Sequence, residues 1–324
     1  ALFQSGITRK PLYAMLEAVY TELDMPRHIL RLKAGTMGGK EIAWYDLGAP
    51  LTLPDRNEFS WEEAVALVAR SLDRAYPALG NFFRTLIQKN WVDWQPRPGK
   101  RPGGFCTGSQ LIKESRIFMT YNNAMGDVLT LAHESGHAFH SFVMRDLRPY
   151  ARSYPMTLAE SASTFGEMLM LDGLLQDPSI SDSFKALLLD TEVGHAAVYL
   201  MDIPVRYEFE KSLYEEREVG ELSVSRLKEL MVESQQRVFG DVLEKGGEDP
   251  FFWASKLHFY ITGITFYNFP YTFGFLLSRW LFSAFKKDTA DFLPRYEGFL
   301  RLTGSNTPEN VVKNTFDRNL EAAD

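Results

Sequence analysis

Apolar residues that recur at intervals of three and four predict that most of this 324-residue chain is helical. Leu12, Met15, Leu16, Val19, Tyr20 and Leu23 form one such stripe. Ser60 and Glu63 have capping-box spacing and open a helix carrying Ala64, Val65, Val68 and Leu72, expected to run on past Pro77 to Ile87. Ser181 or Asp182 can cap a long segment through Leu187, Leu188, Val193 and Val198. Further helices are expected around 224–239, 250–260 and 273–286. Only three stretches have the character of strands: Ile42–Leu47, Trp91–Trp94 and Arg116–Tyr121, the last with Ile117, Met119 and Tyr121 alternating with Phe118 and Thr120. The run Pro96–Gly108, with Pro96, Pro98, Pro102, Gly103 and Gly104, reads as loop. The expected fold is mainly α with a small sheet, free of internal repeats and low-complexity tracts.

Composition narrows the partners. The chain is 45% hydrophobic and 24% charged, the balance of a globular protein, and its 24 Phe, 14 Tyr and 6 Trp suit both a packed interior and a groove for peptide side chains. A net charge of −7 without a Lys/Arg-dense stretch argues against nucleic acid, whose phosphates need a concentrated basic face. No apolar run is long enough to span a bilayer, so no membrane partner is expected. A single cysteine, Cys106, rules out an intrachain disulfide and fits a reducing compartment, with cytoplasm the expectation. The opening Ala1-Leu2-Phe3-Gln4 lacks an initiator Met, which suggests a piece of a longer protein.

The chemistry concentrates in His133-Glu134-Ser135-Gly136-His137, set in a helical stretch with Val128, Leu131 and Phe139. Residues four apart stand one above the other on a helix, so both imidazoles can reach one zinc ion with Glu134 beside them to handle protons. The bland alternative is two histidines on an ordinary amphipathic face. Gly136 inside the helix costs about 1 kcal/mol relative to Ala, which implies a close neighbour there. His140 lies seven residues from His133, about 10 Å along the axis, and is expected as a supporting or packed core histidine rather than a ligand.

An open catalytic zinc site needs a third protein ligand. Glu160 is the best candidate, followed by the small residues Ser161, Ala162 and Ser163, which allow close approach to a neighbour. Thr157 and Glu160 also match a capping box, in which the carboxylate would only cap its own helix. Glu167, two turns later on the same face, competes as ligand or as acceptor for an imidazole N–H.

These residues, taken together, resemble the catalytic domain of the thimet oligopeptidase group of zinc peptidases, most closely its oligoendopeptidase F branch. The resemblance runs from Tyr45-Asp46 and Ala49-Pro50-Leu51 through Gly104-Phe105-Cys106-Thr107 and His133–His140. It continues through Ala159–Glu167 and Phe252–Tyr260 to Phe266–Phe275. It implies a mainly α, zincin-like helical catalytic domain over residues 1–324, with a small β-sheet beside the active site. It also implies one zinc held by His133, His137 and Glu160, with Glu134 as general base, and short peptides as substrates. His258, Tyr267 and Tyr271 match a C-terminal region whose side chains reach over the metal to stabilise the oxyanion; the same aromatics could instead form a core cluster. Relatives often carry Tyr where this chain has Phe275, and they have a helical N-terminal part that this chain is expected to lack.

Two functions follow as expectations. One is a zinc-dependent endopeptidase of short oligopeptides, in which Arg116–Tyr121 pairs with the substrate backbone at a sheet edge. The other is a non-catalytic, zinc-stabilised helical peptide-binding module, with His140 or Glu167 closing a four-ligand site.

Overall fold

The Ser60 hydroxyl accepts the Glu63 amide while the Glu63 carboxylate accepts the Ser60 amide at 2.8 Å, so the capping box written in the sequence opens its helix. That helix is one of many in a computed structural model that describes residues 1–49 and 58–321. In chain order the helices are α1 (Leu2–Ser5), α2 (Arg9–Thr21), α3 (Asp24–Thr36), α4 (Trp61–Ala75), α5 (Pro77–Gln88), α6 (Met125–Val143), α7 (Met156–Leu175), α8 (Asp182–Ala197), α9 (Ile203–Arg217), α10 (Val224–Phe239), α11 (Phe252–Ser255), α12 (Phe269–Lys287), α13 (Thr289–Leu302) and α14 (Pro308–Phe316). The strands are β1 (Val92–Asp93), β2 (Gly104–Ser109) and β3 (Glu114–Met119). The fold is mainly α with one small sheet, as the periodicity predicts.

Several boundaries differ from expectation, each for a local reason. The helix expected to cross Pro77 breaks at Tyr76 (φ −147°, ψ 89°), because proline disfavours helical backbone in the residue before it; Pro77 then starts α5. The run Ile42–Leu47 yields a single bridge, Ile42 with Leu243, followed by a 3-10 turn at Trp44–Asp46 that sets the Trp44 ring against Phe239 and Phe252. Residues 250–260 form only α11 and a 3-10 turn, separated by extended Lys256. The Pro/Gly-rich stretch contains β2 at its end. Pro50 and Leu51, which belong to the resemblance, lie outside the described residues.

The chain divides into two compact units. One comprises Ala1–Leu53, Ala186–Phe273 and Leu320–Asp324, built on α2, α3, α9 and α10. Within it α9 follows α8 through a π turn, Val198–Asp202.

The other unit comprises Pro54–Lys185 and Gly274–Asn319. It contains the sheet and the motif helix. The strand order is β1-β3-β2, β3 running parallel to β1 and antiparallel to β2, so β3 is central and β2 is an edge. Helix α6 packs on β2 and β3 on one side and on α7 on another. Val128, Leu131 and Ala132 of α6 and Phe165 of α7 are fully buried, and Phe165 meets Phe285, Phe292 and Tyr296 at 4.5–5.8 Å between ring centroids.

Candidate metal centre

Helix α6 crosses α7 at Gly136. A Cβ there would lie 2.7 Å from the Ser163 Cα and closer still to the Ala162 carbonyl, so only glycine lets the backbones meet. Gly166 faces the same crossing, its ideal Cβ 3.0 Å from the Ala132 carbonyl. The small residues after Glu160 and the glycine inside the motif thus answer each other, and the close crossing brings the α7 carboxylates to the α6 imidazoles.

His133 and His137 sit one turn apart with rings 4.9 Å between centroids and nearly perpendicular. Glu160 Oε2 stands 3.3 Å from His133 Nε2 and 3.5 Å from His137 Nε2. One ligand atom from each of the three lies within 4.8 Å of the others, a group that could hold a metal ion. The N-cap of α7 is Pro155, with no side-chain cap, and Thr157 is buried inside the helix, so Glu160 does not serve a capping box. Ser163 instead donates its hydroxyl to Glu160 Oε2 at 2.9 Å and orients the carboxylate. Glu167 takes the other face of the imidazole, hydrogen-bonding His133 Nδ1, which leaves Nε2 turned toward Glu160.

Electrostatics mark this pocket as one that wants a cation. Burial pushes the His133 imidazolium toward neutrality, but hydrogen bonds and charge from Glu160 and Glu167 outweigh it and hold its pKa well above the usual histidine value. Burial opposes ionisation of Glu160, yet His133 and His137 pull its pKa well below the carboxylate range. Glu134 is only 5% exposed, its pKa raised mainly by burial, and its Oε2 has no hydrogen-bond partner among the described residues. Leaving a buried carboxylate oxygen unpaired costs about 1–3 kcal/mol, so such an atom marks a place for a proton, water or ligand. Two imidazole Nε2 atoms and a carboxylate oxygen are the donor set of an open zinc site, and this cluster fits one.

The sequence expectation for His140 holds, and two others need adjustment. His140 is fully buried, its Nε2 2.8 Å from the Thr303 hydroxyl and its ring stacked on Tyr154 at 4.2 Å, so it is a core histidine; burial pushes its pKa down to about 3. Of the stretch Arg116–Tyr121, Arg116–Met119 falls in β3, which is central and has no free edge. β2 has one: among the described residues no strand pairs with its outer side, and a Cβ at Gly104 would be 3.3 Å from Glu134 Oε1, so this backbone passes directly beside that carboxylate. The Pro/Gly-rich composition around it concealed the strand.

His258, Tyr267 and Tyr271 belong to the other unit, where they come together. The rings of Tyr267 and Tyr271 stack at 5.3 Å, His258 meets Tyr267 edge-on at 4.9 Å, and the Tyr271 hydroxyl is 3.5 Å from His258 Nε2. Burial, with Arg206 and Lys256 nearby, lowers the His258 pKa and favours its neutral form. Sequence reasoning missed Ser163 as a partner of Glu160, although the two stand three apart on one face of α7.

Comparison with known proteins gives a family and a fold. Residues 74–324 match the model of peptidase family M3. An oligoendopeptidase F homolog of Lactococcus lactis is 26% identical over 316 residues, covering 96% of this chain and 51% of that protein. The oligopeptidase PepF of Bacillus subtilis is 25% identical over 319 residues, covering 97% of this chain and 46% of its own length. The chain therefore spans about half the length of the curated relatives it matches. Among solved structures, one from Chlamydophila abortus superposes with a TM-score of 0.81 at 24% identity, over 98% of this chain and 53% of that one. Oligoendopeptidase-F from Enterococcus faecium gives 0.70 at 19% identity, over 99% and 50%. With the family match reaching from α4 through the His133–His137 helix to the last residue, this chain belongs to peptidase family M3.

Proposed function

We propose that this chain is the catalytic part of a zinc-dependent endopeptidase that hydrolyses short oligopeptides, with His133, His137 and Glu160 as ligands of one zinc ion. The observation that carries this reading is the convergence of two imidazole Nε2 atoms on the Glu160 carboxylate, with Glu134 Oε2, unpartnered among the described residues, alongside. A zinc ion held there would supply Lewis acidity, activating a water at neutral pH and polarising the scissile carbonyl.

The chain's own residues do the rest. Glu134, buried and with one oxygen unpartnered among the described residues, takes the proton of the attacking water and passes it to the leaving amine. Glu167 holds the His133 ring by Nδ1 so that Nε2 faces the ligand position. The outer edge of β2 offers backbone groups for an extended peptide, and Gly104 lets it lie against Glu134. His258, Tyr267 and Tyr271 supply the donors for the developing oxyanion, each worth about 3 kcal/mol in such a role.

The binding-module alternative needs a fourth protein ligand. Its two candidates are engaged otherwise, Glu167 with His133 Nδ1 and His140 with Thr303. No helix among the described residues is long and apolar enough to cross a membrane. The test is incubation with a mixture of short peptides, with and without a chelator, read by mass spectrometry. Internal cleavage that stops with chelator and returns with zinc is expected; chelator-resistant cleavage, or none with zinc bound, overturns the reading.

A further inference from the structure

The segment carrying His258, Tyr267 and Tyr271 is built largely of turns. Residues 261–268 lie between a 3-10 turn and α12 without regular structure, and Phe266 adopts φ +54°, a left-handed backbone that a bulky residue rarely takes. Something must hold this conformation. The holder comes from α9: Glu210 Oε1 accepts the Phe266 amide at 2.8 Å, and its Oε2 accepts the Asn268 side-chain amide at 2.7 Å. One carboxylate thus bridges the two residues that flank Tyr267.

The bridge is a buried one. Glu210 is 6% exposed and Asn268 1%, and the Asn268 side-chain oxygen in turn accepts the Phe269 amide at the start of α12. The Asn268 carbonyl accepts the Tyr271 amide at 3.0 Å. Phe266 is itself packed between Tyr207 and Tyr214, which lie on α9 with Glu210. A short chain of bonds therefore runs from one glutamate to the backbones that carry Tyr267 and Tyr271, and it includes the strained residue. A carboxylate buried solely for stability would be costly, since isosteric apolar packing usually serves as well.

We propose that Glu210 is a positioning residue: its carboxylate locks the backbone on either side of Tyr267 and thereby sets where the Tyr267 and Tyr271 hydroxyls and His258 stand. This rests on the reading of those side chains as oxyanion donors, so its test has one arm independent of turnover. In Glu210→Gln the side chain keeps its volume, but it cannot accept from both Phe266 and Asn268 without turning its own N–H₂ toward one of the two donors.

Hydrogen exchange resolved at the Phe266 and Tyr271 amides reads the lock directly, and is expected to speed up at least tenfold in Glu210→Gln while amides of α6 and α7 stay at parental rates. Turnover is expected to fall about tenfold or more with KM within a factor of two and zinc content unchanged. Combined with Tyr271→Phe the loss should be less than the product of the two single losses, because both act through one hydroxyl. Parental exchange at Phe266 overturns the lock. Faster exchange with parental turnover, or losses that multiply, overturns its role in positioning. If Tyr267→Phe and Tyr271→Phe are both fully active, the oxyanion reading fails on its own evidence, whatever the exchange arm shows.

Discussion

The two chemistry-bearing regions of the chain are held by different means. At the α6–α7 crossing, each functional side chain projects from a long helix, and its direction is fixed by backbone hydrogen bonds, by Gly136 and Gly166 at the contact, and by side-chain partners at both ends of His133. In the segment 257–271, the proposed oxyanion donors hang from turns and the first residues of α12 and touch one another at ring distance, and Glu210 binds the two residues that flank Tyr267. Rigid elements suit a cluster that must match an ion's geometry within tenths of an ångström, whereas a segment built of turns can adjust to a substrate. Substitutions of the proposed ligands in the first region should therefore abolish binding of the ion, and those in the second should lower turnover while leaving the ion in place.

The largest expected effect comes from the ligands. His133→Ala, His137→Ala or Glu160→Ala leaves a two-ligand site, and each folded variant should lose tightly bound zinc and all measurable turnover. Stoichiometric zinc in purified Glu160→Ala would move the ligand role elsewhere, with Glu167 first in line.

Tyr271→Phe probes the other region. Removing a hydroxyl that acts only on charge developing in the transition state should lower kcat by about 10²- to 10³-fold with little change in KM and full zinc content. A core-packing role predicts activity within a few-fold of the parent, since the ring survives. Tyr267→Phe in the same background shows whether the stacked neighbour compensates.

The contrast also extends along α6 itself, where His140 continues the motif into the core. Its pKa is pushed from near 6.5 down to about 3 by burial, so the unfolded chain takes up this proton at higher pH than the folded one. Stability from this group is thus fully present above pH 6.5 and falls as pH drops toward 3, by up to about 1.4 kcal/mol per pH unit. Chemical denaturation of His140→Gln and parent between pH 7 and 4 should show a shallower acid slope in the variant; identical slopes would mean that His140 is not buried neutral.

How much of this was legible in the sequence follows the same division. Four-residue spacing on a helix is a periodic signal, so the pattern of residues alone places His133, Glu134 and His137 together, and the Ser60–Glu63 cap marks its helix start to the residue. Spacing does not settle whether Glu160 or Glu167 faces both imidazoles, because both lie on one face of α7 and the choice depends on where α6 crosses it. Strand β2 was hidden by glycine and proline neighbours, and the π turn and the breaks at Tyr76 and Lys256 depend on tertiary packing and local backbone geometry that periodicity does not encode. The Glu210 bridge was invisible, joining residues 56 and 58 positions apart in sequence.

The most direct test of the central claim is Glu134→Gln, measured for zinc content and peptide turnover on the same preparation. Glu134 is beside the ligands but is not one of them in this account, so the variant should keep one zinc per chain while turnover falls by at least about 10³-fold, the loss of a positioned general base. Parental turnover with zinc bound would contradict the account, and loss of zinc together with activity would mean that Glu134 holds the ion rather than moving the proton.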